Sequence, residues 1–221
     1  MNNPGRLQAG GRILVMTSVA VESAAVLRGL RGDKEFDVLL AGVGPVAAAV
    51  NTAKALAVAG YRLVVSAGIG GGFPSRAEVG SLALADEIVA ADLGVDTPAG
   101  FRSLAELGFG PNRISVDEAL VKKVREALGK ASLLVRTGPV LTVSTVTGTA
   151  EKACELAARV PGAIAEAMEG YGVAFAAQDR GVPVLEIRAI SNLIGPRDRA
   201  LWRIKEALGV LEAAFSVLLE V

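Results

Sequence analysis

Few side chains in this sequence can perform chemistry, because its 221 residues include no histidine and only one cysteine, Cys154. The absence of histidine removes the commonest general base and metal ligand, together with every histidine-based catalytic triad. Acid–base chemistry near neutral pH must therefore come from carboxylates, lysine, tyrosine, cysteine, amides or water. We expect no metal site, and we expect Cys154 to pack on a predicted helix rather than to act as a nucleophile.

Two polar motifs interrupt apolar surroundings: residues 166–171 (EAMEGY) and residues 186–192 (EIRAISN). Considered locally, Met168 is typical of a core position, and Glu169 suits the start of a helix, where the helix dipole favours an acid. In the second motif, a buried strand ends in a serine and an asparagine, which can cap a turn. On these local patterns alone, a structural role is favoured for both motifs.

Two glycine-rich segments follow predicted strands. Residues 42–47 (GVGPVA) have the spacing of a dinucleotide-binding turn, but no acidic residue follows about 20 positions later to bind a ribose. The pattern therefore favours tight strand–helix packing over a cofactor site. Residues 66–72 (SAGIGGG) are not a phosphate-binding loop, because no Gly-Lys-Ser/Thr follows. Their position at the end of a predicted parallel strand favours ligand contact over a flexible left-handed turn.

Composition excludes several classes of partner. The chain has 23 basic and 23 acidic residues, so no overall basic field attracts nucleic acid or an anionic membrane. No apolar run reaches the ~20 residues that a membrane span requires. The single cysteine cannot form an internal disulfide, which favours a cytoplasmic protein. Residues 1–11 predict a flexible leader, and residues 12–221, which contain no repeat or linker, predict one domain.

Apolar strands alternate with helices along the chain. This order predicts an α/β fold of three layers, in which a mostly parallel, twisted central sheet is flanked by helices. The predicted strands are residues 12–17, 37–41, 63–67, 82–90, 133–136, 141–146, 163–167 and 182–190. The predicted helices are residues 21–30, 46–59, 117–128, 149–159, 169–179 and 198–219. Residues 68–72 and 92–110 are predicted loops, and Trp202 is predicted to be a core residue of the last helix.

The order of the motifs resembles a known superfamily. Met-Glu-Gly at the start of a helix (residues 168–170), followed by Arg-Ala-Ile-Ser-Asn on the next strand (residues 188–192), resembles the nucleoside phosphorylase and nucleosidase superfamily. Further segments that resemble it are residues 17–22 (TSVAVE), 41–49 (AGVGPVAAA), 67–72 (AGIGGG) and 78–86 (EVGSLALAD). Within this superfamily, residues 142–149 (TVSTVTGT) and the two polar motifs are most similar to the futalosine hydrolase family.

The resemblance implies hydrolysis of a purine N-glycosidic bond, which builds positive charge on the ribose and negative charge on the departing base. It assigns activation of water to Glu22, the ribose hydroxyls to Glu169, and N7 and the 6-position of the base to Asn192. The other substrate-binding residues that it implies are Ile69, Gly70, Thr145, Val146, Met168, Arg188 and Ser191. It implies no cofactor.

Three positions depart from the adenine-specific nucleosidases of the superfamily. Asn192 stands where they have an aspartate, Ala167 where they have a second glutamate, and Ile69 where they have a serine. An amide offers an N–H donor to a 6-oxo group, whereas adenine itself presents a donor at that position. The asparagine therefore predicts hypoxanthine rather than adenine as the leaving base.

The resemblance also implies the reactants, which are water and a small purine nucleoside. Futalosine would be hydrolysed to hypoxanthine and dehypoxanthine futalosine, in menaquinone (vitamin K2) biosynthesis. Futalosine carries an extended aromatic tail with a carboxylate at the 5′ end of its ribose, and Arg102 and Arg197 are candidates to bind that tail. A homodimer or higher homo-oligomer is implied as well, with residues 92–101 reaching the neighbouring subunit.

Three alternatives remain open. A related purine nucleosidase would act on methylthioadenosine, S-adenosylhomocysteine or aminodeoxyfutalosine. A purine nucleoside phosphorylase would need arginines around a phosphate; the glycine segments carry none, although Arg28, Arg31 and Arg76 lie nearby in the sequence. A nucleotide-binding module without catalysis is supported by the spacing of residues 42–47, but it lacks the ribose-binding acid.

Overall fold

The computed structural model describes residues 11–219, so residues 1–10 of the predicted leader lie outside the described residues. The strands in this range are β1 Arg12–Thr17, β2 Phe36–Leu40, β3 Tyr61–Gly72, β4 Leu82–Ala90, β5 Gly94–Thr97, β6 Gly100–Ser103, β7 Arg113–Ser115, β8 Val135–Thr142, β9 Ala165–Ala167 and β10 Val184–Leu193. The helices are α1 Ala20–Leu30, α2 Pro45–Val58, α3 Glu118–Lys130, α4 Ala150–Arg159, α5 Gly170–Asp179 and α6 Ile204–Leu218, with a short 3-10 helix at Arg199–Leu201.

One large sheet organises the fold, as predicted. Its strands lie in the order β10–β4–β8–β9–β3–β1–β2, and β7 is added to β4. Most neighbours are parallel: β1 pairs with β2 and β3, β3 with β10, and β8 with β4 and β9. Because β10 pairs with both β3 and β4, the strands β3, β10, β4, β8 and β9 close into a ring. β5 and β6 form a separate hairpin.

Local sequence explains why these elements form. β1 is buried from Ile13 to Thr17, which is expected of a parallel strand covered on both faces. In α3, the buried residues Val121, Val124 and Leu128 recur at helical spacing. The predicted N-cap of this helix is confirmed, since the side chain of Asp117 accepts a hydrogen bond from a backbone N–H in the first turn.

The sheet brings the polar ends of several strands together. β3 lies between β1 and β10. Along β10, Arg188 pairs with Gly68 and Asn192 pairs with Gly71. The register shifts just before Asn192, so Ser191 is an extra residue in β10. A bulge of this kind redirects the side chains around it and is common beside active sites.

Two strands are longer than predicted. Residues 68–72, predicted to be a loop, continue β3 and pair with β10 and β9. That prediction was wrong because glycine weakens an isolated strand, whereas here two neighbouring strands hold the glycines in place. Residues 133–136 and 141–146, predicted to be two strands, contribute to one strand, β8. The predicted loop of residues 92–110 contains the β5–β6 hairpin.

The last helix begins later than predicted. α6 starts at Ile204, so Trp202 lies in the connection before it and is half-buried instead of being a core residue of the helix. Cys154, which was expected to pack, is exposed on α4. None of the helices between residues 11 and 219 combines the length and apolar character that a bilayer crossing needs.

Candidate active site

A buried arginine lies at the centre of the candidate site. Arg188, on β10, is 1% exposed. Its Nε donates to Glu186 Oε1 at 2.9 Å, one terminal nitrogen donates to the Ser66 hydroxyl at 2.9 Å, and the other donates to Glu169 Oε2 at 3.3 Å. The guanidinium therefore links β10, β3 and the residue that precedes α5.

The charges of three carboxylates stabilise the protonated form of the Arg188 guanidinium. Burial alone would lower the pKa of Arg188, but the charges of Glu186, Glu169 and Glu22 outweigh burial and raise this pKa further above its ordinary value. Burial raises the pKa of Glu186, although the charge of Arg188 opposes the rise. We call these four residues the charge cluster. With all four ionised, its negative charges outnumber its positive one, which favours a ligand that becomes cationic.

Glu186 is completely buried beside the arginine. Its Oε1 accepts from Arg188, whereas its Oε2 has no hydrogen-bond partner among the described residues. The carboxylate lies against Gly170, the first residue of α5, where any side chain would overlap it. The amino end of a helix is a favourable place for negative charge. Gly170 is therefore required by packing.

Glu22 is held in one orientation by backbone and side-chain donors. Its Oε2 accepts from the N–H of Ser18 at 3.0 Å, from the Ser18 hydroxyl at 2.6 Å and from the N–H of Val19 at 3.2 Å. Its Oε1 accepts from the N–H of Ile69 at 2.9 Å. These bonds fix the carboxylate between the end of β1 and the glycine-rich part of β3.

The glycine turn before α2 is directed at Glu169. Gly42 and Gly44 have φ of 80° and 89°, a conformation that favours glycine. The N–H of Gly44 donates to Glu169 Oε1 at 3.2 Å, so a carboxylate lies where a helix amino end would bind a phosphate. A Cβ added at Gly42 would lie 3.1 Å from the Ala47 Cβ, which agrees with the predicted tight strand–helix packing.

The glycines of β3 leave room for the charge cluster. A Cβ at Gly68 would lie 2.6 Å from Glu22 Oε1 and 2.8 Å from a terminal nitrogen of Arg188. A Cβ at Gly70 would lie 3.3 Å from the Cβ of Arg188. Gly68 and Gly70 thus leave room for a carboxylate and a guanidinium, whereas a Cβ at Gly71 or Gly72 would overlap Ile194 or the carbonyl oxygen of Ala77. None of residues 68–72 has a positive φ, so the alternative of a flexible left-handed turn is wrong.

Asn192 lies at the end of β10, beside the same part of β3. The Ser191 hydroxyl is 2.9 Å from Asn192 Oδ1 and 3.3 Å from the Gly70 carbonyl oxygen, so its single proton serves one acceptor at a time. Asn192 Nδ2 donates to the carbonyl of Leu193 at 3.0 Å. An amide nitrogen carries two N–H groups, so this bond leaves one N–H to serve a ligand.

Two carboxylates hold the loop that follows β8. Asp92 accepts from the N–H of Ser144 at 2.6 Å. Glu166 accepts from the N–H of Thr147 at 2.8 Å and from the hydroxyl of the same residue. The pKa of Glu166 is raised above its ordinary value, chiefly by burial and also by the charge of Asp92. The hydrogen bonds from Thr147 oppose this rise. Because Glu166 pairs with Gly71, the loop is tied to the glycine-rich part of β3.

The predicted site residues fall into three groups. Glu22, Glu169 and Arg188 belong to the buried charge cluster. Gly70, Ser191 and Asn192 line the strand ends beside it. The remaining four, Ile69, Met168, Thr145 and Val146, are half-buried or exposed, so their side chains are accessible to a ligand. Thr145 and Val146 lie on the loop held by Asp92 and Glu166.

Sequence reasoning missed four residues that position the site: Ser18, Ser66, Asp92 and Glu186. A detectable signal existed for Ser66 and Glu186, because each is a polar residue within an apolar strand and must find a buried partner. Ser18 and Asp92 carried no such signal. Their hydrogen bonds to Glu22 and Ser144 depend on how loops meet after folding.

An apolar recess of about 210 Å³ lies elsewhere, beneath α3 and α6. Ile13, Phe36 and Leu63 line it, and these residues belong to the first halves of β1, β2 and β3. Glu22 and Arg188 instead contact the later part of β3. The recess is therefore separate from the charge cluster.

The arrangement suits acid–base chemistry on an organic ligand. Glu22 and Glu169 place carboxylates beside the Arg188 guanidinium, and Asn192 adds an amide at the rim. Within residues 11–219, no group of three or more histidine, cysteine, aspartate or glutamate side chains is placed to hold a metal ion. The residues present can accept a proton from water and stabilise positive charge on a sugar.

The fold and this site define the class of protein. The family model described as "Phosphorylase superfamily" matches residues 5–220. The chain belongs to the phosphorylase superfamily, as the motifs predicted.

Relatives narrow the class further. The chain is 51% identical to the futalosine hydrolase of Streptomyces coelicolor, over 91% of this chain and 92% of the relative. It is 40% identical to the futalosine hydrolase of Thermus thermophilus, over 87% of this chain and 84% of that relative. Within the superfamily, the chain belongs to the futalosine hydrolase family.

Solved structures share the fold. The native structure of futalosine hydrolase from Helicobacter pylori matches with a TM-score of 0.82 at 20% identity, and the match covers 96% of this chain and 98% of that one. The 5′-methylthioadenosine/S-adenosylhomocysteine nucleosidase of the same organism, with butyl-thio-DADMe-Immucillin-A, matches with a TM-score of 0.84 at 18% identity, over 97% and 100% of the two chains. The predicted phosphorylase/hydrolase-like fold is confirmed.

Removal of the central guanidinium tests the charge cluster. We expect Arg188→Met to lower the free energy of unfolding at pH 7 by about 3–5 kcal/mol, because it leaves buried carboxylates unpaired. The double variant Arg188→Met/Glu186→Met should recover part of that loss, since it removes one of those carboxylates. Urea denaturation measures both.

The matched control is Arg136→Met, which removes the surface ion pair with Glu78 and should cost less than about 1 kcal/mol. If Arg188→Met were as stable as the unaltered protein, the central role of this guanidinium would be refuted.

Proposed function

We propose that this protein hydrolyses the N-glycosidic bond of futalosine and releases hypoxanthine. The observation that carries the proposal is the placement of two carboxylates, Glu22 and Glu169, beside the buried guanidinium of Arg188. Membership of the futalosine hydrolase family supports the choice of substrate.

In the proposed mechanism, Glu22 accepts a proton from the attacking water. Its orientation is fixed by the donors from Ser18, Val19 and Ile69, so the carboxylate need not reorganise during the reaction. The water oxygen forms the new bond to C1′ of the ribose as the bond from C1′ to the base nitrogen breaks. The electron pair of the broken bond leaves with the base.

Glu169 stabilises the sugar as it becomes cationic. Its Oε1 is held by Gly44 and its Oε2 by Arg188, and its remaining lone pairs can accept from the ribose hydroxyls. The excess negative charge of the cluster favours the oxocarbenium-like ribose over its neutral ground state. Half-buried Met168 precedes Glu169 and packs against the sugar.

Asn192 accommodates the negative charge that develops on the base. The amide N–H not used by Leu193 donates to N7 or to the 6-oxo group, and water supplies the proton that completes hypoxanthine. Ser191 fixes the amide through its contact with Oδ1. Thr145 and Val146 contact the base from the loop that Asp92 and Glu166 hold in place.

Hydrolysis is favoured over phosphorolysis by the charge of the site. A phosphate dianion beside Arg188 would also lie beside Glu22 and Glu169, which would repel it. Two of the three arginines considered for a phosphate site are engaged elsewhere: Arg28 pairs with Glu212, and Arg76 donates to a backbone carbonyl. The third, Arg31, caps the end of α1 opposite to Glu22. These contacts support water as the nucleophile.

A nucleotide-binding module without catalysis is less well supported. The glycine turn of residues 42–47, on which that alternative depends, donates its Gly44 N–H to Glu169. The amino end of α2 is thus already occupied by a carboxylate. A bound diphosphate would have to displace it.

Replacement of Glu22 tests the hydrolytic mechanism. We expect Glu22→Gln to lower kcat for futalosine by about 10²- to 10⁴-fold, the usual contribution of a general base, while KM changes little. The assay measures free hypoxanthine with and without inorganic phosphate, and we expect equal rates in the two conditions.

Glu126→Gln, which makes the same change on the exposed face of α3, is the control and should retain full activity. A strict requirement for phosphate would overturn the proposed hydrolysis in favour of phosphorolysis.

Replacement of Asn192 tests the choice of base. We expect Asn192→Asp to reduce the ratio of kcat/KM for futalosine to that for aminodeoxyfutalosine by about 10- to 100-fold, because a carboxylate cannot donate to a 6-oxo group and can accept from a 6-amino group. Gln178→Glu, an amide-to-acid change at an exposed position of α5, controls for added charge. Unchanged selectivity would refute the role of the amide.

We also propose that residues 12–221 act as one domain and that the enzyme works in the cytoplasm.

We propose further that the enzyme is a homodimer. An apolar surface next to the site supports the dimer: Val43, Val46 and Val50 recur at helical spacing around the start of α2, and all three are exposed, Val46 by 76%. Phe175, on α5, is exposed as well, and α5 packs against α2. Contiguous exposed apolar surface marks an interaction site.

Light scattering tests the dimer. We expect twice the mass of one chain in solution, and we expect Val46→Glu to produce monomers because it places a charge in the interface. Leu134→Glu, which adds the same charge at another exposed apolar residue, should leave the dimer intact. A monomeric unaltered protein would contradict the proposal.

A further inference from the structure

A loop between β10 and α6 returns to the candidate site at both of its ends. We call residues 194–203 the Arg–Trp loop. At its start, the N–H of Ile194 donates to the carbonyl of Gly72 at 2.9 Å, and at its end the N–H of Arg203 donates to the carbonyl of Ser191 at 2.8 Å. The loop is therefore anchored next to Asn192.

The exposed part of this loop combines cations with an aromatic ring. The guanidinium carbon of Arg197 lies 5.3 Å from the centre of the Trp202 ring, and that of Arg199 lies 5.9 Å from the same centre. Both arginines are exposed and Trp202 is half-buried. Both distances are in the range of cation–π contacts, so the indole holds two guanidinium groups near one another.

These guanidinium groups have no anionic partner between residues 11 and 219. Neither Arg197 nor Arg199 forms an ion pair or a hydrogen bond with another described side chain. Asp198 lies between them in sequence, but its carboxylate accepts from the N–H of Ala200 at 2.9 Å and caps the short 3-10 helix. Two cations beside an aromatic ring thus retain their capacity to bind an anion.

We propose that the Arg–Trp loop binds the aromatic carboxylate tail of the nucleoside substrate. This inference rests on the proposed function, because futalosine carries such a tail at its 5′ end. Guanidinium groups bind carboxylates through paired, charge-assisted hydrogen bonds, and an indole offers a face or edge to an aromatic ring. The loop supplies both kinds of contact, and neither is needed by a nucleoside without the tail.

The loop lies within reach of a nucleoside in the site. Trp202 directly precedes Arg203, whose N–H is bonded to Ser191. One residue spans at most about 3.6 Å, so the backbone of Trp202 lies within roughly 10 Å of the strand end that presents Asn192. An extended substituent on the ribose can cover a distance of this size.

The structure favours Arg197 over Arg102, the other candidate for the tail. Arg102 lies on the β5–β6 hairpin and donates to the carbonyl of Glu106 at 3.0 Å. It has no aromatic ring close to its guanidinium among the described residues, whereas Arg197 shares Trp202 with Arg199.

Fluorescence gives a direct test, because Trp202 is the single tryptophan of the chain. The Glu22→Gln variant, slowed in turnover, is titrated with futalosine, with the analogue in which an amide replaces the tail carboxylate, and with inosine. We expect saturable quenching by futalosine, at least about tenfold weaker binding of the amide analogue, and no change with inosine, since it has no tail to contact the indole.

Substitution of both arginines then assigns the contact. Arg197→Met/Arg199→Met, in the same background, should bind futalosine no better than the amide analogue. Two variants serve as controls. Arg125→Met/Arg197→Met should lose only part of the preference for futalosine over the amide analogue. Arg125→Met alone, on the exposed surface of α3, should keep that preference in full. With Glu22 intact, Arg197→Met/Arg199→Met should raise KM for futalosine by about 10- to 100-fold and change kcat by less than about threefold.

The outcomes separate this inference from the proposed function. If futalosine and its amide analogue bind equally, or if Arg197→Met/Arg199→Met retains the preference for futalosine, the Arg–Trp loop is not the tail site. If instead futalosine quenches Trp202 in the expected order but the unaltered protein releases no hypoxanthine from it, the proposed function fails and the binding site stands.

Discussion

The buried guanidinium of Arg188 is the interaction on which the rest of the structure depends. A charge that is 1% exposed is tolerated only with close partners, and Glu186, Glu169 and Ser66 supply them. These partners in turn constrain their surroundings. Side chains are excluded at Gly68, where Glu22 and Arg188 meet, and at Gly170, against which Glu186 packs. Gly68 and Gly170 are thus required by one ion-pair cluster.

The same cluster links stability to the proposed chemistry. Its carboxylates outnumber its guanidinium, so the cluster carries a net negative charge when all four groups are ionised. A ribose that becomes positively charged during bond cleavage supplies the missing charge, and it does so only in the transition state. The hydrogen bonds from Ser18 and Gly44 hold Glu22 and Glu169 in place beforehand. Asn192 lies at the less buried strand end, where the proposed mechanism places negative charge on the base.

Much of the fold could be predicted from the sequence because its signals are local. Alternating apolar strands and helices predicted a mostly parallel sheet, and the cap at Asp117 was visible in the residue types. The glycine-rich end of β3 was not predictable in this way, since it is a strand only because β10 and β9 pair with it. The candidate catalytic residues came from a resemblance between motifs. Their local patterns alone favoured structural roles, because Glu22, Glu169 and Arg188 meet only through the packing of distant elements.

The most direct test of the account is a crystal structure of the protein with 9-deazahypoxanthine joined through carbon to a cationic iminoribitol, a stable analogue of the charged sugar. We predict that the carboxylates of Glu22 and Glu169 lie on either side of the sugar, with a water molecule between Glu22 and the carbon that corresponds to C1′. We also predict that Asn192 Nδ2 lies about 3 Å from N7 or the 6-oxo oxygen of the base. A ligand bound away from these three side chains would contradict the account.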